Sequence, residues 1–435
     1  MSLLDIFCDI MRTRRVAKEN INRRGVTEYQ PSQIGGFIED DAYMRNLVCS
    51  GDCTDLRSET ITSLCVSATN ANIPVIVLHQ GDTKLVNKFH TTYGNHPSYI
   101  EIGPYAKRFD PFYQLNNSQI SKIIIESAPQ KYALSCDGQA YIDTMTGFLS
   151  GKGRPVTLTG LYQCPHSTFS MLLSSATANG TLPQSVAQSL QITLAQGQKE
   201  AHRVKAYMDE LYDECIALLP KSKSDYVNCV SIFHAVQQNA VLNFDIISDV
   251  NTLLLRAIAE QLKILIKRRV PFLLILDNIP IRDDNSMKDI SLTNSGGFAC
   301  AIAGDDVLSL CDGNEQLFGA LVGHSSKWFV FHHNPGPGSE MWSVAFSKYK
   351  MIDTTTNFGH GYSSGHGSGY SLGGGHLSSG TNWNNNHSSH QGYSYVNKDE
   401  AIIRGEEISR LPPRSGYVYT AQTREIAHVG TFLPQ

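Results

Sequence analysis

The chain has 435 residues, of which 41% are hydrophobic and 17% charged, and its formal net charge is −4. That length can hold two or three domains, and the charge does not indicate a nucleic-acid binder. No segment reaches the roughly 18 to 20 uninterrupted apolar residues of a membrane span. The ten cysteines include no Cys-x-x-Cys pair, which is typical of reduced thiols in a cytoplasmic protein and predicts no metal site.

The first predicted element is an amphipathic helix over residues 2–18, which a linker joins to residue 34. Its basic end contains Arg12, Arg14 and Arg15, which are candidates for contact with DNA or with an acidic membrane surface. The alternative is a solvated helix end, where positive charge is favoured by the helix dipole. We prefer this alternative.

A strand, a loop, a helix and a second strand are predicted between residues 45 and 79, which makes one βαβ unit. Its loop resembles the phosphate-binding pattern Gly-x-x-x-x-Gly-Lys-Ser/Thr. Gly51 stands at the first glycine and Ser58 at the hydroxyl residue, with the required spacing. The outline therefore predicts a nucleotide-binding fold.

The chemistry of this loop departs from the pattern. Leu56 replaces the second glycine and Arg57 replaces the lysine. Asp52 and Asp55 place two carboxylates where phosphate oxygens would lie, and like charges repel by about 1 to 4 kcal/mol each at such range. We interpret the loop as a nucleotide site that is weakened or lost. Its candidate residues are Gly51, Asp52, Cys53, Thr54, Asp55, Leu56, Arg57 and Ser58.

Strands and helices alternate through residues 35–160, which predicts a mainly parallel sheet with helices on both faces. The composition then changes, and apolar residues recur at helical spacing between residues 187 and 219. We interpret residues 161–245 as an all-helical insert. The sheet is predicted to resume over residues 246–435.

A continuous apolar run over residues 271–277 is typical of a buried central strand with an acidic tip. In nucleotide hydrolases, the acid at the position of Asp277 helps to hold Mg²⁺, and the next residue is commonly a glutamate that deprotonates water. Here that residue is Asn278, whose neutral amide can orient a water molecule but cannot accept its proton. We expect residues 46–50 and 272–277 to form neighbouring strands at the centre of the sheet.

Residues 357–394 are rich in Gly, Ser, Asn, His and Tyr. Such a segment cannot bury enough apolar surface to offset the entropy lost on ordering. We predict a disordered loop. A metal site is disfavoured because the histidines are irregularly spaced.

The order of these parts resembles the motor domain of type IV secretion coupling proteins, the TraG/TraD-like branch of the FtsK/HerA superfamily. The resemblance covers most of residues 35–435. It implies an α/β fold with a RecA-like P-loop NTPase core, a mainly parallel central sheet and an all-α insert. Members of this family hydrolyse ATP in a hexameric ring and drive DNA or protein through a secretion channel.

Position by position, Gly51 and Ser58 match the phosphate loop of the family, and Arg57 stands at its lysine. Asp277 matches the acid that supports the metal, and Asn278 departs from the catalytic glutamate. Both the Walker A and the Walker B motif are thus degenerate, and no catalytic residue is assigned beyond the candidates Asp277 and Asn278.

Three functional hypotheses follow. The preferred one is a degenerate coupling-type ATPase domain with weak or no ATP hydrolysis, which acts as a structural or regulatory component of a DNA-transfer or secretion machine. Its partners would be machinery proteins, in a homo-hexamer or in a ring with an active paralogue, and it would lie in the cytoplasm, peripheral to the inner membrane through them. The second is an active translocation motor of conjugation that uses ATP and Mg²⁺ and acts on DNA or protein. The third is a non-motor module that binds nucleic acid or a partner.

Overall fold

The computed structural model describes residues 3–94, 96–132, 134–151, 156–246, 252–282, 286–293, 297–373 and 376–434, and for residues 3–9, 223 and 354–395 it describes the backbone alone. The helices are α1 Leu3–Arg24, α2 Thr54–Asn70, α3 Thr83–Tyr93, α4 Asn117–Ser127, α5 Cys136–Gly151, α6 Leu158–Tyr162, α7 His166–Ala178, α8 Gln184–Cys215, α9 Ile232–Gln237, α10 Thr252–Lys267, α11 Met287–Ser291, α12 Val307–Leu310, α13 Glu315–His324, α14 Pro337–Ala345 and α15 Gly405–Ile408. The strands are β1 Val26–Tyr29, β2 Ser32–Gln33, β3 Leu47–Ser50, β4 Val75–His79, β5 Tyr99–Ile102, β6 Arg108–Phe109, β7 Cys229–Val230, β8 Val241–Asp245, β9 Phe272–Asp277, β10 Phe298–Gly304, β11 Lys327–Val330, β12 Lys348–Gly373, β13 His376–Ala401, β14 Gly416–Thr420, β15 Glu425–Val429 and β16 Phe432–Leu433.

The chain forms two compact units. One contains Met1–Val26 with Phe346–Ile403, and the other contains Thr27–Ala345 with Arg404–Gln435. The second unit is built on a ten-stranded sheet in the order β1-β15-β14-β11-β3-β10-β9-β4-β8-β5. From β11 to β5 every neighbouring pair is parallel, whereas β14 and β15 extend the sheet in antiparallel pairing. The prediction of a mainly parallel sheet is confirmed.

The central strands β3, β4, β9 and β10 are buried along their whole length. Parallel strands that are covered on both faces have continuous apolar sequences of this kind, because no side chain faces water. One expectation is wrong here: β3 and β9 are not neighbours. Strand β10 lies between them, and its Ala301 is in register with Leu47 on one side and with Ile275 on the other. An apolar run reveals that a strand is buried but does not reveal its place in the sheet.

The helical part of the large unit differs in extent from the predicted insert over residues 161–245. The helical region begins at Asn117 with α4, because α5 packs against both α4 and α8. At the other end, Val241–Asp245 forms β8 and pairs in parallel with β4 and β5, so these residues belong to the sheet. Strand β8 is five residues long, and its apolar residues are interrupted by Asn243, so a segment this short does not distinguish a strand from a helix.

The smaller unit consists of α1 and the paired strands β12 and β13. The two strands pair in antiparallel register from Lys348 opposite Ala401 to Gly373 opposite His376. The described part of residues 357–394 lies in these paired strands, and the disorder of this segment stays a prediction.

Candidate functional site

The loop between β3 and α2 is short and closely packed. It consists of three residues, from Gly51 to the half-buried Cys53. At Gly51 the backbone has a φ of 138°, and a Cβ atom there would lie 2.7 Å from Cβ of Phe331 and 2.9 Å from the carbonyl oxygen of His332. Only glycine fits this close approach. The loop is therefore seated against the end of β11.

The backbone amides of this loop donate to other parts of the protein. The N–H of Gly51 donates to the carbonyl of Gly304 at 3.1 Å, and the N–H of Asp52 donates to the carbonyl of His332 at 2.9 Å. The carboxylate of Asp52 also lies 2.8 Å from Nδ1 of His332. A phosphate-binding loop keeps its amides for the ligand. Here two of them fasten the loop to the ends of β10 and β11.

The remaining loop candidates belong to α2, which begins at Thr54. Leu56 is fully buried in the core beneath the sheet. The hydroxyl of Ser58 donates to the carbonyl of Thr54 at 2.9 Å, one turn earlier in the same helix. Asp55 is exposed and lies 2.9 Å from Nζ of Lys84. These side chains are thus engaged within the fold.

Arg57 lies at the centre of the site, with only 3% of its side chain exposed. Its Nε is 2.8 Å from Oδ1 of Asp277, and its Nη2 is 3.7 Å from Oδ2 of Asp82. Nη1 donates to the carboxylate of Asp305. These acids follow or end the neighbouring strands β4, β9 and β10. One buried guanidinium is therefore surrounded by three carboxylates.

Asp277, the buried acid beside Arg57, has a raised pKa and lacks hydrogen-bond donors among the described residues. Burial raises the pKa of Asp277 to about 7; the Arg57 guanidinium opposes this effect, and the nearby Asp82 carboxylate adds to it. Burial alone would lower the pKa of Arg57, but Asp277 and Asp305 outweigh it and raise that pKa. Among the described residues neither oxygen of Asp277 has a hydrogen-bond donor. The 2.8 Å contact is thus an ion pair without hydrogen-bond alignment.

A divalent cation does not fit beside Asp277 in this arrangement. The place next to the carboxylate is taken by the guanidinium of Arg57, and two cations in one buried site repel each other. Within the described ranges, no group of three or more His, Cys, Asp or Glu side chains is arranged to hold a metal ion. Mg²⁺ binding at Asp277 would require Arg57 to move.

Asn278 connects two strand ends. Its backbone has a φ of 54°, a left-handed conformation that asparagine tolerates better than most residues. Its N–H donates to the carbonyl of Ala303 at 2.9 Å, and its Oδ1 accepts from the N–H of Asp305 at 3.0 Å. The side chain that the sequence predicts at the position of a catalytic base therefore accepts a hydrogen bond from the backbone that follows β10.

Three residues of the site were missed in the sequence. Asp82 caps α3 by accepting the N–H groups of Lys84 and Leu85, each at 3.0 Å. His79 is fully buried at the end of β4, where burial lowers its pKa. Asp305 follows β10. A signal was present, because all three stand at the carboxyl ends of strands, and in parallel sheets such ends lie along one edge where ligands bind.

The three arginines proposed as nucleic-acid contacts lie on α1, in the smaller unit. Arg12 is half-buried, whereas Arg14 and Arg15 are exposed. The structure therefore separates them into one residue that packs within its unit and two that face solvent.

With this geometry in view, the chain can be compared with known proteins. No protein-family model matches it. No curated protein matches it either. Among solved structures, the plasmid coupling protein TrwB in complex with the GTP analogue GDPNP matches with a TM-score of 0.55 at 13% identity, over 95% of this chain and 92% of that one.

The chain has the fold of TrwB. The unbound form of the bacterial conjugative coupling protein TrwBdeltaN70 matches with a TM-score of 0.52 at 14% identity, over 91% of this chain and 86% of that one. TrwB with the ATP analogue ADPNP matches with a TM-score of 0.54 at 12% identity, over 95% and 92%. The predicted RecA-like α/β fold and the resemblance to coupling proteins are confirmed at the level of the fold. Of the helices that are described, none has the length and apolar character needed to cross a bilayer.

Proposed function

We propose that this protein is a coupling-protein-like domain in which Arg57 takes the place of the nucleotide-bound cation beside Asp277. It would act as a structural or regulatory component of a DNA-transfer or secretion machine, with weak or no ATP hydrolysis. The observation that supports this proposal is the 2.8 Å ion pair between Nε of Arg57 and Oδ1 of Asp277. It joins the position of the phosphate-loop lysine to the position of the metal-supporting acid.

Hydrolysis of ATP needs a phosphate cradle, a metal ion and a group that positions or deprotonates water. Each of these three places is occupied here. The amides of Gly51 and Asp52 donate to backbone carbonyls. Arg57 lies beside Asp277, and the side-chain oxygen of Asn278 accepts from the backbone of Asp305.

Arg57 cannot easily act as a substitute for the lysine of an active loop. Arginine has a planar fork of donors where lysine has a compact ammonium group on a flexible stem. Here the fork contacts Asp277, Asp82 and Asp305 together. Removing one partner of a buried ion pair costs about 3 to 5 kcal/mol. A nucleotide that drew Arg57 towards its phosphates would have to offset a cost of this size.

The partners belong to the same proposal. A domain that keeps the fold of TrwB but not its nucleotide chemistry can still present the surfaces by which such domains pack together. We propose machinery proteins of conjugation or secretion as partners, in a homo-hexamer or in a ring beside an active paralogue, with DNA or protein as the transferred cargo and a cytoplasmic location at the inner membrane.

A nucleotide-binding titration tests this function. TrwB, which has been crystallised with ADPNP, serves as the positive control for a fluorescent ATP analogue with Mg²⁺, and phosphate release is measured in parallel. We expect no saturable binding and no turnover by this chain. Saturable binding with turnover that Asp277→Asn abolishes would refute the proposal.

One observation favours the second hypothesis, an active motor. Both oxygens of the buried Asp277 lack hydrogen-bond donors among the described residues, and such acceptors would suit a hydrated cation if Arg57 moved away from them. In that case Mg²⁺ with ADP would raise the melting temperature of the protein, and Asp277→Asn would remove the effect. A melting temperature that Mg²⁺ and ADP leave unchanged counts against the motor.

A further inference from the structure

Helix α1 has one face that packs within its own unit. The residues of this face recur every four positions, and all are half-buried: Arg12, Val16, Asn20 and Arg24. The amide of Asn20 donates to the carbonyl of Ile352 at 3.0 Å and accepts from its N–H at 2.8 Å, as a strand neighbour would. Arg24 donates to the carbonyl of Ile402. This side of the helix therefore packs on β12 and forms a hydrogen bond at the end of β13.

A second stripe of α1, about 100° around the helix from the first, is apolar and exposed. The exposed fraction is 46% for Ile10, 51% for Met11 and 67% for Ile21. Ile10, Ala17 and Ile21 follow one another at spacings of seven and four residues, which places them on one stripe of a helix. A soluble helix normally turns such a stripe towards a core. In α1 it lies beside the residues that pack on β12 and is exposed to solvent.

Positive charges lie on this same face. Arg14 and Lys18 fall between the apolar residues at helical spacing, and both are exposed, as is the adjacent Arg15. None of these three cations forms an ion pair with any side chain that the structure describes. The nearby acid Glu19 is already paired with Arg23, at 2.8 Å. The outward face of α1 is thus both apolar and cationic.

We propose that this outward face, formed by Ile10, Met11, Arg14, Ala17, Lys18 and Ile21, binds the surface of a bilayer that contains anionic lipids. Helices that lie in a membrane interface have apolar side chains that enter the acyl boundary and basic side chains that reach the lipid phosphates. Attraction to an anionic leaflet strengthens binding through each nearby lysine or arginine. The inference goes beyond the proposed function, does not depend on it, and replaces the solvated helix end that the sequence favours for α1.

The apolar residues favour a bilayer over a nucleic acid. Contacts to a DNA backbone come from cations and hydrogen-bond donors, so Arg14, Arg15 and Lys18 alone would serve there. Ile10 and Ile21 would then remain in water. A bilayer can contact the apolar and the basic side chains at the same time. The half-buried residues of α1 can keep their contacts with β12 when the outward face binds lipid.

Flotation with vesicles tests the proposal on the full chain. One set of vesicles consists of equal parts phosphatidylglycerol and phosphatidylcholine, and the other of phosphatidylcholine alone. We expect the protein to float with the first set and to remain below with the second. Binding that ignores lipid charge, or that is absent from both sets, would overturn the inference.

Two double variants separate the two contributions. Arg14→Gln with Lys18→Gln is expected to lower vesicle partitioning about fivefold for each charge removed. Ile10→Gln with Ile21→Gln is expected to abolish the binding that remains at high salt, where charge attraction is screened. Glutamine keeps the helix favourable, and circular dichroism checks that it persists.

Controls lie in the other unit, where Val344→Gln changes an apolar side chain that is 69% exposed and Arg410→Gln changes a cation that is 80% exposed. Both should leave flotation unchanged. If Val344→Gln reduced flotation as much as the pair at Ile10 and Ile21, the assignment to α1 would be wrong. It would also be wrong if Arg14→Gln with Lys18→Gln reduced binding to duplex DNA but not to vesicles.

Discussion

Two of the buried carboxylates in the large unit, Asp110 and Asp277, are held in opposite ways. Asp110, which follows β6, accepts the N–H of Phe112 at 2.9 Å and the N–H of Leu158 at 3.0 and 3.1 Å. Asp277, at the end of β9, has Arg57 at 2.8 Å and no hydrogen-bond donor among the described residues. The oxygens of Asp110 accept backbone hydrogen bonds, whereas the carboxylate of Asp277 has the guanidinium of Arg57 close to it.

The difference separates an acid whose acceptors are filled by backbone donors from an acid that lies beside a buried cation. Burial raises the pKa of Asp110 to about 6, and its backbone donors oppose the rise. Burial raises the pKa of Asp277 to about 7 even though a guanidinium opposes it. An acid with a purely structural role usually has its acceptors filled. The oxygens of Asp277 have no hydrogen-bond donors among the described residues, so its charge is balanced chiefly by Arg57.

The largest effect is expected from Arg57→Met. It leaves Asp277, Asp82 and Asp305 without their shared cation, and an unpaired buried charge costs about 3 to 5 kcal/mol. Urea unfolding at pH 8 should show a loss of this order in the free energy of unfolding. At pH 5 the loss should shrink, because protonation removes the charge of Asp277. As a control, Arg410→Met on the surface should change it by less than about 0.5 kcal/mol. Equal stability of Arg57→Met and the natural chain at pH 8 would contradict the account.

A smaller loss is expected from Asp110→Ala. This change leaves the buried N–H groups of Phe112 and Leu158 without acceptors, at about 1 to 3 kcal/mol for each group. Asp110→Asn keeps one oxygen and should lose less. Urea unfolding of the two variants measures the contrast. A loss for Asp110→Asn as large as that for Asp110→Ala would show that charge, and not the backbone donors, holds this acid.

The pH dependence of stability should reveal Asp277. Its pKa is raised from 3.8 to about 7 in the folded protein. A carboxyl group with a raised pKa contributes stability that is fully present below pH 3.8 and is lost as the pH rises through about 7. Asp277→Asn removes this contribution, so the variant should gain in free energy of unfolding relative to the natural chain between pH 5 and pH 7, by about 1.4 kcal/mol per pH unit at most. Parallel stability curves for the two proteins would exclude this titration.

Some of this site was predictable from the sequence, and some was not. The buried run that ends at Asp277 and the strand-loop-helix around Gly51 follow from local patterns, and the α/β fold follows from their repetition. The contact between Arg57 and Asp277 does not, because it depends on the order of strands, which placed β10 between β3 and β9. Asp82 and Asp305 were missed for the same reason. Local patterns place a residue at a strand end, whereas strand order determines its neighbours.

The smallest effect is expected from Ser58→Ala, and it is the most discriminating. In an active phosphate loop the hydroxyl at this position binds Mg²⁺, so its loss would abolish nucleotide binding. Here the hydroxyl donates to the carbonyl of Thr54 within α2, and a bond of this kind adds little to a helix. We expect a change of less than about 0.5 kcal/mol in the free energy of unfolding.

Thr62→Ala provides the matched control for Ser58→Ala, because Thr62 makes the same bond one turn later, to the carbonyl of Ser58 at 2.8 Å. The melting temperatures of both variants are measured with and without Mg²⁺ and ADP. If the ligands stabilise the natural chain and Thr62→Ala but not Ser58→Ala, the serine binds the metal. Arg57 would then have to leave Asp277 whenever a nucleotide binds. The arrangement described above would be the nucleotide-free state of an active site. If the ligands stabilise none of the three proteins, the ion pair is the permanent occupant of the site.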